Sequence, residues 1–159
     1  MNTRLMTRIA LLAAVYATLT LIPPLAGMAY GPVQIRVAEA LSVLPFLTPA
    51  AVPGLYIGCF IANLGSPVPG FDLTLGAFST LLAAVLTRRM PRAYLAPLPP
   101  VVVNALLVST YVSQLANWPY WLTVVYVGAG QLVACYGLGY PLLLYLQRRS
   151  DLLAWLNPK

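Results

Sequence analysis

Between Arg8 and Arg88 this chain carries only three charged residues, Arg36, Glu39 and Asp72, and from Ala93 to Gln147 it carries none. A soluble domain draws about a quarter of its residues from the charged types. Here 8% of 159 residues are charged and 60% are hydrophobic, too little polar surface to cover a water-facing globule. The expected class is an all-α integral membrane protein. A helical span takes about 20 apolar residues, so this length holds five or six spans and no separate soluble domain.

The breaks in the apolar runs set the spans. Proline lacks the amide donor, so Pro23-Pro24 ends the first run, and Gly31-Pro32 marks a turn within an outer loop over 27–34. The start could imitate a signal peptide, but the run is long and the chain beyond it is again membrane-like, which favours a first span. The expectation is one transmembrane domain over 1–159. Its six spans lie at about 5–22, 36–46, 51–64, 71–87, 94–115 and 120–147, the second and third short and proline-broken. Short segments of this kind are tolerated where they are buried in protein or line a cavity.

Charge decides between five spans and six. Arg4 and Arg8 precede the first span, Arg88, Arg89 and Arg92 share one loop, and Arg148, Arg149 and Lys159 follow the last span. Lys and Arg gather in cytoplasmic loops. Six crossings put all of these on one side, with both termini cytoplasmic; five would strand the Arg88–Arg92 loop opposite the N-terminus. The clustering at loops also removes the nucleic-acid reading of the net charge of +6. Cys59 and Cys135 read as small packing residues with no metal or disulfide spacing, and there is no histidine.

On this topology the buried polar residues share the outer half. Arg36 and Glu39 lie one turn apart at the outer end of span two, where they are expected to pair. Asn63 closes span three, Asp72 opens span four, and Asn104 and Gln131 sit at matched depth in spans five and six, about 16 Å down at 1.5 Å per residue. Ionisable groups inside a membrane are costly and mark function by default, and a buried amide needs partners. Each residue taken singly also reads as structural, as an ion pair or a helix end. Trp118, Tyr120, Trp121 and Tyr126 read as an interfacial aromatic belt, or, for Trp121 and Tyr126, as a stacking wall for a flat heterocycle. In span one Ala10/Ala14 and Ala13/Ala17 are small-xxx-small pairs that let another helix approach, either a neighbouring span or a partner. The inner half holds no intramembrane charge, so no continuous ion path is written across the chain.

The run RVAEALSVLPFLTPAAVPGLYIGCFIANL, with FDLTLGAFSTLLAAVLTRR, LPPVVVNALLV and VGAGQLVACYGLGYPLLL, resembles the queuosine-precursor transporter family over about residues 8–147. These proteins are substrate-binding S-components of energy-coupling factor (ECF) transporters. The resemblance implies six helices, a pocket open to the outside, and partners in the form of a transmembrane coupling subunit and two ABC ATPases. It implies a nucleobase-like small molecule, a 7-deazaguanine such as aminomethyl-deazaguanine or queuine, and no cofactor. Ala10, Ala13, Ala14 and Ala17 match the family's AxxxA partner motif, and Arg36, Glu39, Asn63, Asp72 and Asn104 match by position as pocket members. Where the family's VGxG stretch continues with glutamate this chain has Gln131, which leaves the choice of precursor open. No GxxxxGK followed by Ser or Thr is present, so ATP hydrolysis falls to partners. The remaining alternatives are an S-component for another vitamin, a stand-alone facilitator, a structural membrane subunit without ligand, and an intramembrane enzyme. The enzyme is disfavoured by three acidic residues and no histidine.

Overall fold

The computed structural model describes residues 3–22 and 36–156. The expected outer loop at 27–34, the Pro23-Pro24 stop and Lys159 lie outside the described residues. Seven helices carry the described chain: α1 (Thr3–Leu21), α2 (Val37–Phe46), α3 (Ala51–Asn63), α4 (Pro69–Arg88), α5 (Leu98–Ala116), α6 (Tyr120–Arg148) and α7 (Ser150–Leu156). Among the described residues there is no strand. The first six fall close to the expected spans; α7 was not anticipated.

Span count is where the structure departs from expectation. Thr3–Leu21, Pro69–Arg88, Ala93–Ala116 and Tyr120–Arg148 are long and apolar enough to cross a membrane. α2 and α3, with 10 and 13 residues, are not. At about 2.0 Å per residue for the 3-10 winding of α2 and about 1.5 Å for α3, each reaches only about 20 Å of the roughly 30 Å hydrocarbon core.

Consecutive helices reverse direction. Leu12 and Ile9 of α1 face Gly54, Ala13 and Tyr16 face Gly58, and Leu21 faces Gly65, so α1 and α3 run parallel. α2 runs back between them: Tyr16 reaches Glu39 near its start, and Thr48 beyond its end donates to the Leu156 carbonyl at 2.7 Å. Asn63 at the end of α3 meets Asp72 at the start of α4. Thr87 at the end of α4 donates to Ala96 just before α5. Tyr120 at the start of α6 donates to Leu106 of α5. One end of the bundle therefore carries Arg8, Thr48, Arg88, Arg89 and Leu156, and is called the basic end below.

Proline and glycine explain the joints. Pro99 and Pro100 sit in the first turn of α5, where no intrahelical amide bond is lost. α5 stops at Asn117, whose φ of 53° is left-handed, and the Trp118 amide closes back on the Ser113 carbonyl at 2.9 Å. α2 packs backbone to backbone on α6. A Cβ on Gly139 would stand 2.7 Å from the Ala40 carbonyl oxygen, so only glycine permits this approach. Gly58 does the same for α1, where a Cβ would lie 2.7 Å from the Ala13 carbonyl oxygen.

Candidate functional site

The site begins with the winding of α2. A 3-10 helix has three residues per turn, so side chains at i and i+3 eclipse. Glu39 and Ser42 are stacked in this way, and the Ser42 hydroxyl donates to Glu39 Oε2 at 2.7 Å. Tyr16 of α1 donates its hydroxyl to Glu39 Oε1 at 2.5 Å, and Asn104 of α5 offers Nδ2 to Oε2 at 3.4 Å. The Cys135 thiol of α6 lies 3.5 Å from both the Glu39 backbone carbonyl and Gln131 Oε1. Glu39 is 1% exposed, and the side chains that bond its carboxylate, Tyr16, Ser42 and Asn104, are neutral.

Asp72 forms the second half. It begins a widened π-type stretch of α4, Asp72–Gly76, in which the Ala77 amide reaches back to the Asp72 carbonyl. That carbonyl also accepts from Asn63 Nδ2 at 2.8 Å. The Asp72 carboxylate accepts hydrogen bonds from the hydroxyls of Ser66 and Tyr111. Arg36 Nη2 lies 3.7 Å from Asp72 Oδ1. Phe71 stacks flat on Tyr111, ring centres 5.6 Å apart and planes 4° from parallel. Gly76 leaves room beside this group: a Cβ there would meet Asn63 Nδ2 at 3.4 Å, and Asp72 Oδ1 and the Tyr111 hydroxyl at 3.5 Å. Asn63 in turn contacts Cys59, whose sulfur accepts from Asn63 Nδ2 at 3.4 Å and from the Thr80 hydroxyl at 3.3 Å.

Six of the expected residues are thus buried together: Arg36, Glu39, Asn63, Asp72, Asn104 and Gln131. The expected Arg36–Glu39 pair is replaced by Arg36–Asp72. The reason is local: Arg36 precedes α2 with extended backbone (φ −89°, ψ 103°), so it does not continue the row that Glu39 and Ser42 form. Trp121 and Tyr126 stand elsewhere. Trp121 is 71% exposed and packs edge-on against Tyr120, and Tyr126 leans on Trp118 at 5.5 Å. The rings that touch the cluster are Tyr16, Tyr111 and Phe71. Tyr16 was legible only as the one aromatic hydroxyl on the buried face Leu12-Ala13-Tyr16-Ala17-Thr20 of α1. A buried tyrosine hydroxyl seeks a partner. Of the four alanines in α1, Ala13 and Ala17 are covered, with Ala13 packed on Gly58 of α3, and Ala10 and Ala14 remain on the exposed face.

The chemical balance of the cluster is specific. Two carboxylates face one guanidinium. Tyr16, Ser42, Ser66 and Tyr111 already spend their protons on those carboxylates. Asn63 Oδ1 and Asn104 Oδ1 are buried and accept no hydrogen bond among the described residues. The cluster presents carboxylate and amide oxygens around one guanidinium and is rich in acceptors. Buried polar groups are otherwise almost always satisfied, and these amide oxygens are acceptors of the kind that N–H groups bind.

An all-helical chain with four membrane-length apolar helices and a buried polar cluster among them has the design of a multi-pass membrane protein that handles a small polar solute. The family profile described as QueT transporter matches residues 6–148, so the chain belongs to the QueT transporter family, whose members are transporters and not enzymes. It is also 39% identical over 74 residues to the queuosine precursor transporter QueT of Lactococcus lactis subsp. cremoris (strain MG1363), a match covering 46% of this chain. The matched part spans 43% of that relative's length. No solved structure matches.

Proposed function

We propose that this chain is the substrate-binding S-component of an ECF-type ABC importer, taking a queuosine precursor from outside for ATP-driven uptake. The ligand is a 7-deazaguanine such as aminomethyl-deazaguanine or queuine. The observation that carries this reading is the acceptor-rich cluster: Glu39 and Asp72 beside Arg36, with the amide oxygens of Asn63 and Asn104 unmet among the described residues. A guanine-like edge offers a ring N–H beside an exocyclic amine, which matches neighbouring acceptors. An ammonium group matches Glu39, whose carboxylate is bonded by the neutral side chains of Tyr16, Ser42 and Asn104. Gln131 does not supply that charge.

The supporting topology has six crossings in the plasma membrane with both termini cytoplasmic. α2 and α3 are short crossings sheltered by protein, α2 being buried along nearly its whole length. The basic end then faces the cytoplasm, by the bias of Lys and Arg toward that side. Ala10 and Ala14 on the exposed face of α1 would meet the transmembrane coupling subunit, and two ABC ATPases would supply the energy. The name of the Lactococcus relative supports the choice of precursor.

Titration of the purified chain with aminomethyl-deazaguanine tests the site. Saturable binding is expected, lost in Asn104→Ala while the variant still elutes as a single folded species. Undiminished binding by Asn104→Ala overturns this assignment of the site. Misfolding of that variant makes Asn104 structural, and Gly76→Leu then takes its place: a side chain there fills the space beside Asn63, Asp72 and Tyr111 and should block the ligand.

A further inference from the structure

The basic end carries a second polar notch, far from the cluster that Glu39 and Asp72 build. It lies between the first turns of α1 and the C-terminal helix α7, a cavity of about 360 Å³ lined by Arg4, Thr7, Arg8, Ala154 and Trp155. α7 is fixed there by a buried bond, the Thr48 hydroxyl donating to the Leu156 carbonyl at 2.7 Å. Arg8 is unusual for a charged residue on an apolar helix: it is only 8% exposed. Its guanidinium lies over the Trp155 ring, 5.6 Å from the centre. Its Nε is buried with no hydrogen-bond partner among the described residues. The ring face stabilises the charge but cannot accept the proton in the manner of an oxygen. A buried donor left unmet is costly.

The occupant that completes such a notch is an oxyanion. Arginine binds phosphate in a bidentate fork through pairs of N–H groups. Thr7, whose hydroxyl now donates to the Thr3 carbonyl at 3.0 Å, stands on the same wall and can turn toward a ligand. The surroundings choose the source of the phosphate. Leu11 and Val15, 48% and 39% exposed, follow Thr7 and Arg8 at helical spacing (i+4 and i+7) along α1 as an apolar strip suited to acyl chains. A tryptophan beside arginines is a membrane-interface arrangement, and anionic lipids draw basic groups at the cytoplasmic surface.

We propose that Arg4, Thr7, Arg8 and Trp155 form a binding site for the phosphate of an anionic phospholipid headgroup, which holds α7 against α1. The test is native mass spectrometry of the full chain in detergent, doped with phosphatidylglycerol or phosphatidylcholine. Phosphatidylglycerol adducts should exceed phosphatidylcholine adducts, and the surface double variant Arg4→Gln/Thr7→Val should lower their occupancy about tenfold, the scale of one charge-assisted bond. Arg8→Gln should lower it further; because Arg8 is buried, the double variant keeps the test independent of whether Arg8→Gln folds. Equal adducts with both lipids, or unchanged occupancy in the double variant, would overturn the site. Displacement of phosphatidylglycerol by millimolar inorganic phosphate would make the ligand free phosphate and overturn the lipid assignment.

Discussion

Replacing Glu39 with glutamine changes the charge of the site and almost nothing of its shape. Glu39 accepts from Tyr16 at 2.5 Å on one oxygen, and from Ser42 at 2.7 Å and Asn104 at 3.4 Å on the other. Glutamine keeps an acceptor for Tyr16 and places an NH₂ where Oε2 faced two donors. The neighbours can absorb this. Asn104 Oδ1 has no hydrogen-bond partner among the described residues, so its amide can turn to accept, and the Ser42 hydroxyl both donates and accepts. The ligand-free variant should therefore fold and melt close to the parent. An ammonium ligand behaves differently. A charge-assisted bond contributes about 1.5–3 kcal/mol, so Glu39→Gln should weaken aminomethyl-deazaguanine about 10- to 150-fold. Cyano-deazaguanine has no ammonium and loses at most a neutral bond, about two- to tenfold. Calorimetric titration of both ligands into both proteins reads the difference. Equal losses for the two ligands would refute the role given to Glu39, and so would an unchanged affinity for the amine.

The remaining expectations concern packing and partners. Arg36→Met leaves Asp72 buried without its guanidinium and should destabilise the protein by about 3–5 kcal/mol, with much of the loss recovered in Arg36→Met/Asp72→Asn; thermal unfolding of the three proteins checks this. Gly139→Ala puts a Cβ 2.7 Å from the Ala40 carbonyl, forces α2 from α6, and should cost about 1–3 kcal/mol in the same assay. Ala14→Trp, on the exposed face of α1, should abolish co-purification with the coupling subunit and spare ligand binding, whereas Ala13→Trp should fail to fold because Ala13 is only 4% exposed against α3.

The helical class and the helix ends were readable because apolar runs and prolines act locally: Pro49 stands in the reversal before α3, and Asn117-Trp118-Pro119 forms the one before α6. The gathering of Arg36, Glu39, Asn63, Asp72, Asn104 and Gln131 was also readable, since burying polar groups apart would leave each without partners. Pairing inside the cluster was not. A spacing of three suggests one turn in any helix, but Arg36 lies just outside α2 in extended backbone, and that angle depends on tertiary packing. The 3-10 winding of α2 leaves no composition signal, and the aligned row of Glu39 and Ser42 follows from it. The same holds for Trp121: a ring that stacks on a ligand and one that faces outward have the same neighbours in sequence, and only the roll of α6 separates them. In α1 the two alanine pairs look equivalent, yet the close approach of Gly58 buries Ala13 and leaves Ala14 exposed.

The central claim is that an acceptor-rich cluster recognises a donor-rich deazaguanine, and the most direct measurement is calorimetric titration of the purified chain with aminomethyl-deazaguanine, cyano-deazaguanine, queuine and guanine. The account expects saturable one-to-one binding of aminomethyl-deazaguanine that is tighter than that of cyano-deazaguanine. A folded protein that binds none of the four, or that binds the cyano compound more tightly than the amine, would contradict it.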